Sequence, residues 1–278
     1  MKIELIPAHY YTIEQLTDFY NRTRVDYIVP MPMSPERLQE YVDDYDVDLE
    51  QSVVAIDGDE VLGLGMLGVR DGISWITRLG VIPSTRRRGS GNALMAGLLQ
   101  NSEALGIRKT ILEVIKNNTP AHNMFRKHGF NELRDYLIMR RAPRRMERET
   151  KGTAEWLERD AALALMDIPE RHLSWLNQRE SMANADNCQG VMLTLPDGSK
   201  GWLVYRHKKF SLAHFVFHAL AGDPVSVATE ILSHLHHKYP RMDAYAENVD
   251  TKEPMCKAMQ TLGYFEVFAR IEMFRVVD

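Results

Sequence analysis

The sequence predicts a mixed α/β fold (α+β, mixed sheet) built as two tandem domains. Three observations predict it. Apolar residues recur with strand period in three successive stretches between residues 52 and 81. Helix and strand patterns then alternate to residue 140. Finally, the second half echoes the first at a constant offset of 134 residues, with Glu113 over Glu247, Gly129-Phe130 over Gly263-Tyr264, Glu132 over Glu266 and Met139 over Met273.

Taken in order, two helices come first. Residues 12–20 open with Thr12 and Gln15 at capping-box spacing, and Ser34-Pro35-Glu36 opens a helix to about Val42. The acidic stretch of Asp43, Asp44, Asp46, Asp48 and Glu50 is expected to be a solvated loop that could attract a cationic amine. Strands over 52–56 and 60–69 follow, joined by Asp57-Gly58-Asp59, and Arg70-Asp71-Gly72 turns the chain into a strand over 73–81. A basic loop leads to a helix from about Gly91 to Leu105, closed by Gly106. Residues 109–115 read as a strand, 120–127 as a short helix closed by Gly129, and 130–140 as a last strand. The charged segment 143–152 lacks apolar periodicity, which places a first domain at 1–142, a linker at 143–152 and a degenerate second copy at 153–278.

Composition narrows the function. Net charge is -4 over 278 residues, which argues against nucleic acid as the main partner, because phosphate backbones need a basic face. Cys188 and Cys256 are far apart and form no metal-binding or redox pair, so no metal site is expected and a reducing cytoplasm fits. No stretch approaches the roughly 18 apolar residues of a membrane span.

The chemistry-bearing motif is Arg86-Arg87-Arg88-Gly89-Ser90-Gly91, set between a strand and a helix. A helix start offers free N–H groups and the positive end of the helix dipole, small residues let the backbone approach a diphosphate, and arginines add forked donors. Downstream lie Leu112, Val114, Asn118, Ala121, Gly129 and Phe130. With these two motifs at this separation, residues 73–140 resemble the GNAT acetyltransferase superfamily, whose loop reads Arg/Gln-x-x-Gly-x-Gly/Ala.

That resemblance implies a GNAT-like acyl-CoA N-acyltransferase fold and acetyl-CoA as co-substrate. The backbone of Leu79 and Val81 would pair with the pantetheine arm where strands 73–81 and 109–115 splay apart. The loop Arg86, Arg87, Arg88, Gly89, Ser90, Gly91 and Asn92 would cradle the pyrophosphate, and Asn118 would bond the arm. Transfer would be direct, to a primary amine of a small molecule or peptide, with a backbone N–H near Leu79 or Gly80 at the oxyanion. Glu113 is the candidate base. Phe125 stands on the cofactor side where the family carries a proton-donating tyrosine, which leaves a catalytically weak acyl-CoA-binding regulatory module as the alternative.

Other signals read as structural. Gly63-Leu64-Gly65-Met66-Leu67-Gly68 spells a dinucleotide fingerprint, but a hairpin turn follows it instead of a helix. His234, His236 and His237 are expected at a helix surface. At the 134-residue offset the loop becomes Leu220-Ala221-Gly222-Asp223-Pro224-Val225, unsuited to pyrophosphate. The second copy is thus expected to complete a sheet, wall a pocket or form a homodimer.

Overall fold

In a computed structural model, residues 2–168 and 172–277 are described. The chain divides into two compact units, 1–134 with 271–278, and 135–270.

The first unit opens with the strand β1 (Glu4–Pro7), which the sequence pattern misses, and the helices α1 (Ile13–Thr23) and α2 (Pro35–Asp44). Thr12 caps α1 through a complete capping box with Gln15, and Ser34 caps α2 by accepting from Arg37 N. Leu16, Thr17, Tyr20 and Thr23 are the buried residues of α1, a stripe at helical spacing. Three long strands follow as antiparallel neighbours, β2 (Val47–Asp57), β3 (Glu60–Arg70) and β4 (Ile73–Val81). Then come α3 (Ser90–Ala104), β5 (Lys109–Ile115), α4 (Thr119–Lys127) and β6 (Asn131–Arg141). The strand order is β1-β2-β3-β4-β5, and β4 and β5 run parallel. One face of this sheet packs on α3 and α4 through Leu94, Met95, Leu98, Phe125, Ile76, Leu112 and Val114.

The acidic stretch is not a free loop. Asp43 and Asp44 end α2, Asp46 sits in the turn that follows, and Asp48 and Glu50 lie in β2, where residues 49–52 form a wide bulge between the pairs Asp48–Leu67 and Val53–Gly65. Its carboxylates are used locally. Asp48 accepts from the amides of Glu50 and Gln51, and Asp46 pairs with Arg70 at 2.7 Å.

The second unit contains β7 (Thr153–Leu157), α5 (Arg159–Ala164), α6 (Arg179–Asn184), β8 (Cys188–Thr194), β9 (Lys200–His207), β10 (Ser211–Ala221), α7 (Pro224–Lys238), β11 (Asp243–Asp250), α8 (Pro254–Thr261) and β12 (Phe265–Val276). Its core packs α7 and α8 on one sheet face, while α5 and α6 cover the other. The repeat is explicit here: α3 and α7 lie 134 residues apart at both ends. Gly129 and Gly263 both take positive φ, 87° and 81°, at the corresponding turn. Upstream the register slips, because residues 82–89 separate β4 from α3 whereas 222–223 alone separate β10 from α7.

The last strand of each repeat is shared out in an unexpected way. Residues 271–278 belong to the first unit, where Val277 N donates to Arg108 O and Met273 joins the core of α3 and α4. Residues 135–141 of β6 belong to the second, pair antiparallel with β11, and bring Met139 into the core of α7 and α8. Met146, within the charged segment 143–152, is buried in that same core.

The histidine reading needs correction at one position. His236 is wholly buried, its Nε2 2.8 Å from Tyr264 Oη, and burial, with Arg141 and His237 nearby, pushes its pKa down to about 3. The period of α7 turns this residue to the core, while His234 and His237 bond the carbonyls of Lys151 and Arg148. Among the described residues no helix is long and apolar enough to cross a membrane.

Candidate functional site

The site lies in the first unit and starts from a bulge. Leu64 pairs with Gly80 but Met66 pairs with Thr77, so Arg78 and Leu79 together oppose Gly65, and Arg78 takes φ 51°. Gly63 allows this approach, since a Cβ there would stand 2.3 Å from Gly80 O. Gly63 of the apparent dinucleotide fingerprint therefore serves strand packing, and Gly65 leaves room for Leu98 of α3, whose Cδ1 a Cβ there would meet at 2.7 Å. Beyond the bulge β4 leaves β5: their pairing runs from Ile73–Lys109 to Ile76–Leu112 and ends there. Residues 77–81 and 113–115 thus border an opening in the sheet, with the start of α3 beside one edge and the start of α4 beside the other.

The loop between β4 and α3 presents donors outward. Arg86, Arg87, Arg88 and Gly89 are exposed, and Arg87 takes φ 67°. Gly89 is the N-cap of α3 in the left-handed region (φ 89°, ψ -3°) and supplies no side-chain cap. This is a sharp contrast with its neighbours. Among the described α-helices of the unit, α1, α2 and α4 are capped by the side chains of Thr12, Ser34 and Asn118, and α3 alone has no side-chain cap. Its first N–H groups, at Gly89, Ser90, Gly91 and Asn92, therefore lack intrahelical acceptors. Ser90 is buried, and its Oγ has no hydrogen-bond partner. The Asn92 side chain is held by His128 Nε2 at 3.2 Å, and burial, with Arg275 nearby, lowers the pKa of that imidazole.

Gly91 has a different reason for its size. A Cβ there would meet Met124 Sδ at 3.3 Å and Val81 Cγ2 at 3.5 Å, so it sets the packing of α3 on α4 and β4.

Residues between α1 and α2, to which the sequence reading gave no role, complete the surroundings. Asp26 forms a two-pronged ion pair with Arg86 at 2.6 and 2.7 Å, which lowers the Asp26 pKa through the hydrogen bonds from the guanidinium. Arg24 Nη2 donates to Leu79 O at 3.3 Å, and its guanidinium lies 4.2 Å from the centre of the Tyr27 ring. Tyr27 Oη accepts from Asn118 Nδ2 at 3.4 Å. No periodic or motif signal marks this Arg-Val-Asp-Tyr segment.

On the sheet face away from α3, Trp75 Nε1 donates to Glu113 Oε2 at 2.7 Å, and Tyr41 Oη lies 2.5 Å from Thr77 Oγ1. Arg78 stacks 4.0 Å over the Tyr41 ring. Phe125 is buried in the core with Phe130, ring centres 6.3 Å apart.

The matching place in the second unit is closed. Leu220 and Ala221 are strand residues of β10, and Asp223 caps α7 by accepting from Ser226 N at 2.8 Å. The protein's own carboxylate thus occupies one donor that an anion would need, and Pro224 at the first helical position removes another.

The profile of the acetyltransferase (GNAT) family matches residues 13–130, spanning the bulge, the loop and the α4 start. This segment is a GNAT-family domain. No curated protein is similar to the chain in sequence. Among solved structures, the GNAT fold extends over the whole chain. A tandem GNAT protein from the clavulanic acid biosynthesis pathway superposes with a TM-score of 0.67 at 14% identity, covering 99% of this chain and 98% of that one. A GCN5-related N-acetyltransferase from Sphaerobacter thermophilus gives 0.67 at 13% identity, over 99% and 95%. Another from Anabaena variabilis gives 0.62 at 12%, over 100% and 73%. The second unit shares this fold, with the loop before α7 shortened and the α7 start self-capped.

Proposed function

We propose that the GNAT domain is an acetyl-CoA-dependent N-acetyltransferase that acts on a primary amine by direct attack in a ternary complex. The observation that carries this reading is the uncapped start of α3 behind the exposed arginines, beside the opening between β4 and β5. Free helix N–H groups, a left-handed glycine and guanidinium donors are the set that a diphosphate requires. Bound acetyl-CoA would supply an activated acetyl thioester.

The residues then divide the work. Arg86, Arg87 and Arg88, with the amides of Arg88 to Asn92, hold the pyrophosphate, Arg86 exchanging Asp26 for phosphate oxygens. Leu79, Val81 and Asn118 fix the arm across the opening, and binding along it positions the reacting carbon. An N–H at Leu79 or Gly80 supports charge on the carbonyl oxygen. Glu113, oriented by Trp75, takes the proton from the amine directly or through water.

Burial of Phe125 in the core favours a second reading, an acyl-CoA-binding module with little turnover. Calorimetric titration with acetyl-CoA and thiol release with a panel of amines separate the two. Binding with thiol release supports the enzyme, binding without release on any amine supports the module, and absence of binding refutes both.

A further inference from the structure

On the acetyl-CoA reading, a thiolate must depart from the opening, and Phe125 has no proton to give it. Four hydroxyls near β4 are engaged elsewhere. Thr23 donates to Tyr20 O, Tyr20 is fully buried against Arg78, and Tyr41 and Thr77 bond each other. Tyr27 is placed differently. Its hydroxyl touches Asn118 at one edge of the opening, while the guanidinium stacked on its ring bonds Leu79 at the other. These two contacts bracket the place where the arm ends.

The hydrogen-bond polarity also matters. Asn118 Oδ1 accepts from Ala121 N as the cap of α4, which leaves Nδ2 to face Tyr27. The phenol oxygen is therefore an acceptor towards Asn118, and its own hydrogen remains to be donated. Arg24, whose guanidinium lies 4.2 Å from the centre of the ring, holds that ring in place beneath Leu79 O.

We infer that Tyr27 is the general acid, giving its proton to the sulfur and replacing the hydroxyl absent at position 125. The inference rests on the acetyl-CoA reading and adds to it a residue from outside the matching motif. As the amine nitrogen bonds the carbonyl carbon, the C–S bond breaks with its electron pair on sulfur. Tyr27 Oη protonates that sulfur. The amine gives up one proton to its base, and the phenolate recovers one from solvent, so protons and electrons balance.

The test uses the full chain and Tyr27→Phe, which keeps the ring under Arg24. Thiolate absorbance of bound CoA, taken as a difference from the desulfo-CoA complex, is titrated with pH. A phenol that donates to sulfur holds the thiol in the wild type more acidic than in Tyr27→Phe, by about tenfold in ionisation. In parallel, thiol release from acetyl-CoA with hydroxylamine should fall on the order of 100-fold in kcat, the usual contribution of a general acid, with acetyl-CoA affinity within about twofold. Identical thiol titrations and equal kcat in the two proteins would overturn the assignment of Tyr27 alone. A wild type that fails to bind acetyl-CoA would overturn the underlying reading instead.

Discussion

Gly89 and Gly91 share a loop but are small for different reasons, and alanine at each should behave differently. At Gly89 φ is 89°, and a Cβ would meet nothing nearer than Ile3 Cδ1 at 4.0 Å, so the whole penalty is backbone conformation. For an L-residue that penalty is about 1–2 kcal/mol. If the Gly89→Ala loop relaxes out of the left-handed region, presenting its amides again costs the same amount. The dissociation constant for acetyl-CoA should then rise about 5- to 30-fold. At Gly91 the φ is ordinary, the added methyl must displace Met124 Sδ by a few tenths of an ångström, and a flexible thioether can yield. Helix propensity favours alanine there by up to about 1 kcal/mol. Gly91→Ala should therefore stay within about 1 kcal/mol of wild-type stability, and within about threefold in affinity. Urea unfolding and calorimetric titration measure both quantities. Equal affinity loss in the two variants, or none in Gly89→Ala, would refute the reasoning.

Three further outcomes follow from the geometry. Ser90→Ala removes a buried, unpartnered hydroxyl, so thermal unfolding should show stability raised by about 1 kcal/mol with acetyl-CoA affinity unchanged. Glu113→Gln keeps an oxygen for Trp75, so circular dichroism should be unaltered, while thiol release at neutral pH falls at least tenfold if Glu113 is the base. His236, with its folded pKa lowered to about 3, cannot take the proton that an unfolded imidazole takes below about pH 6.5. Stability is therefore full above that pH and falls as pH drops, by about 1.4 kcal/mol per unit between the two values. Urea unfolding at pH 7 and pH 5 should show the loss, and His236→Gln should show a smaller one.

What the sequence made legible was local. Thr12 with Gln15, Ser34 before Pro35, and the strand ends at Ile73, Val81, Lys109 and Ile115 all appear where their residues put them. Each depends on near neighbours: a cap, a turn, a period of two. β1 escaped because Glu4–Pro7 is four residues long and ends in proline, and it is a strand through pairing with residues 53–56. The acidic start of β2 escaped because Asp48 is bound by the backbone amides of its own bulge and Asp46, just before the strand, by Arg70. Met139 and Met273 look alike in the repeat, and nothing near either reveals which unit's core it enters. The loop of the candidate site was readable as a motif. Arg24, Asp26 and Tyr27 were not, because their meaning comes from Leu79, Arg86 and Asn118, more than fifty residues away in each case.

The central claim is that one anion-binding helix start, that of α3, takes acetyl-CoA, while that of α7 is closed by Asp223. The stoichiometry of acetyl-CoA binding to the full chain, measured by calorimetry, tests it most directly. The account predicts one molecule per chain, lost when Gly89 is replaced by valine. Two molecules per chain, or undiminished binding in Gly89→Val, would contradict it.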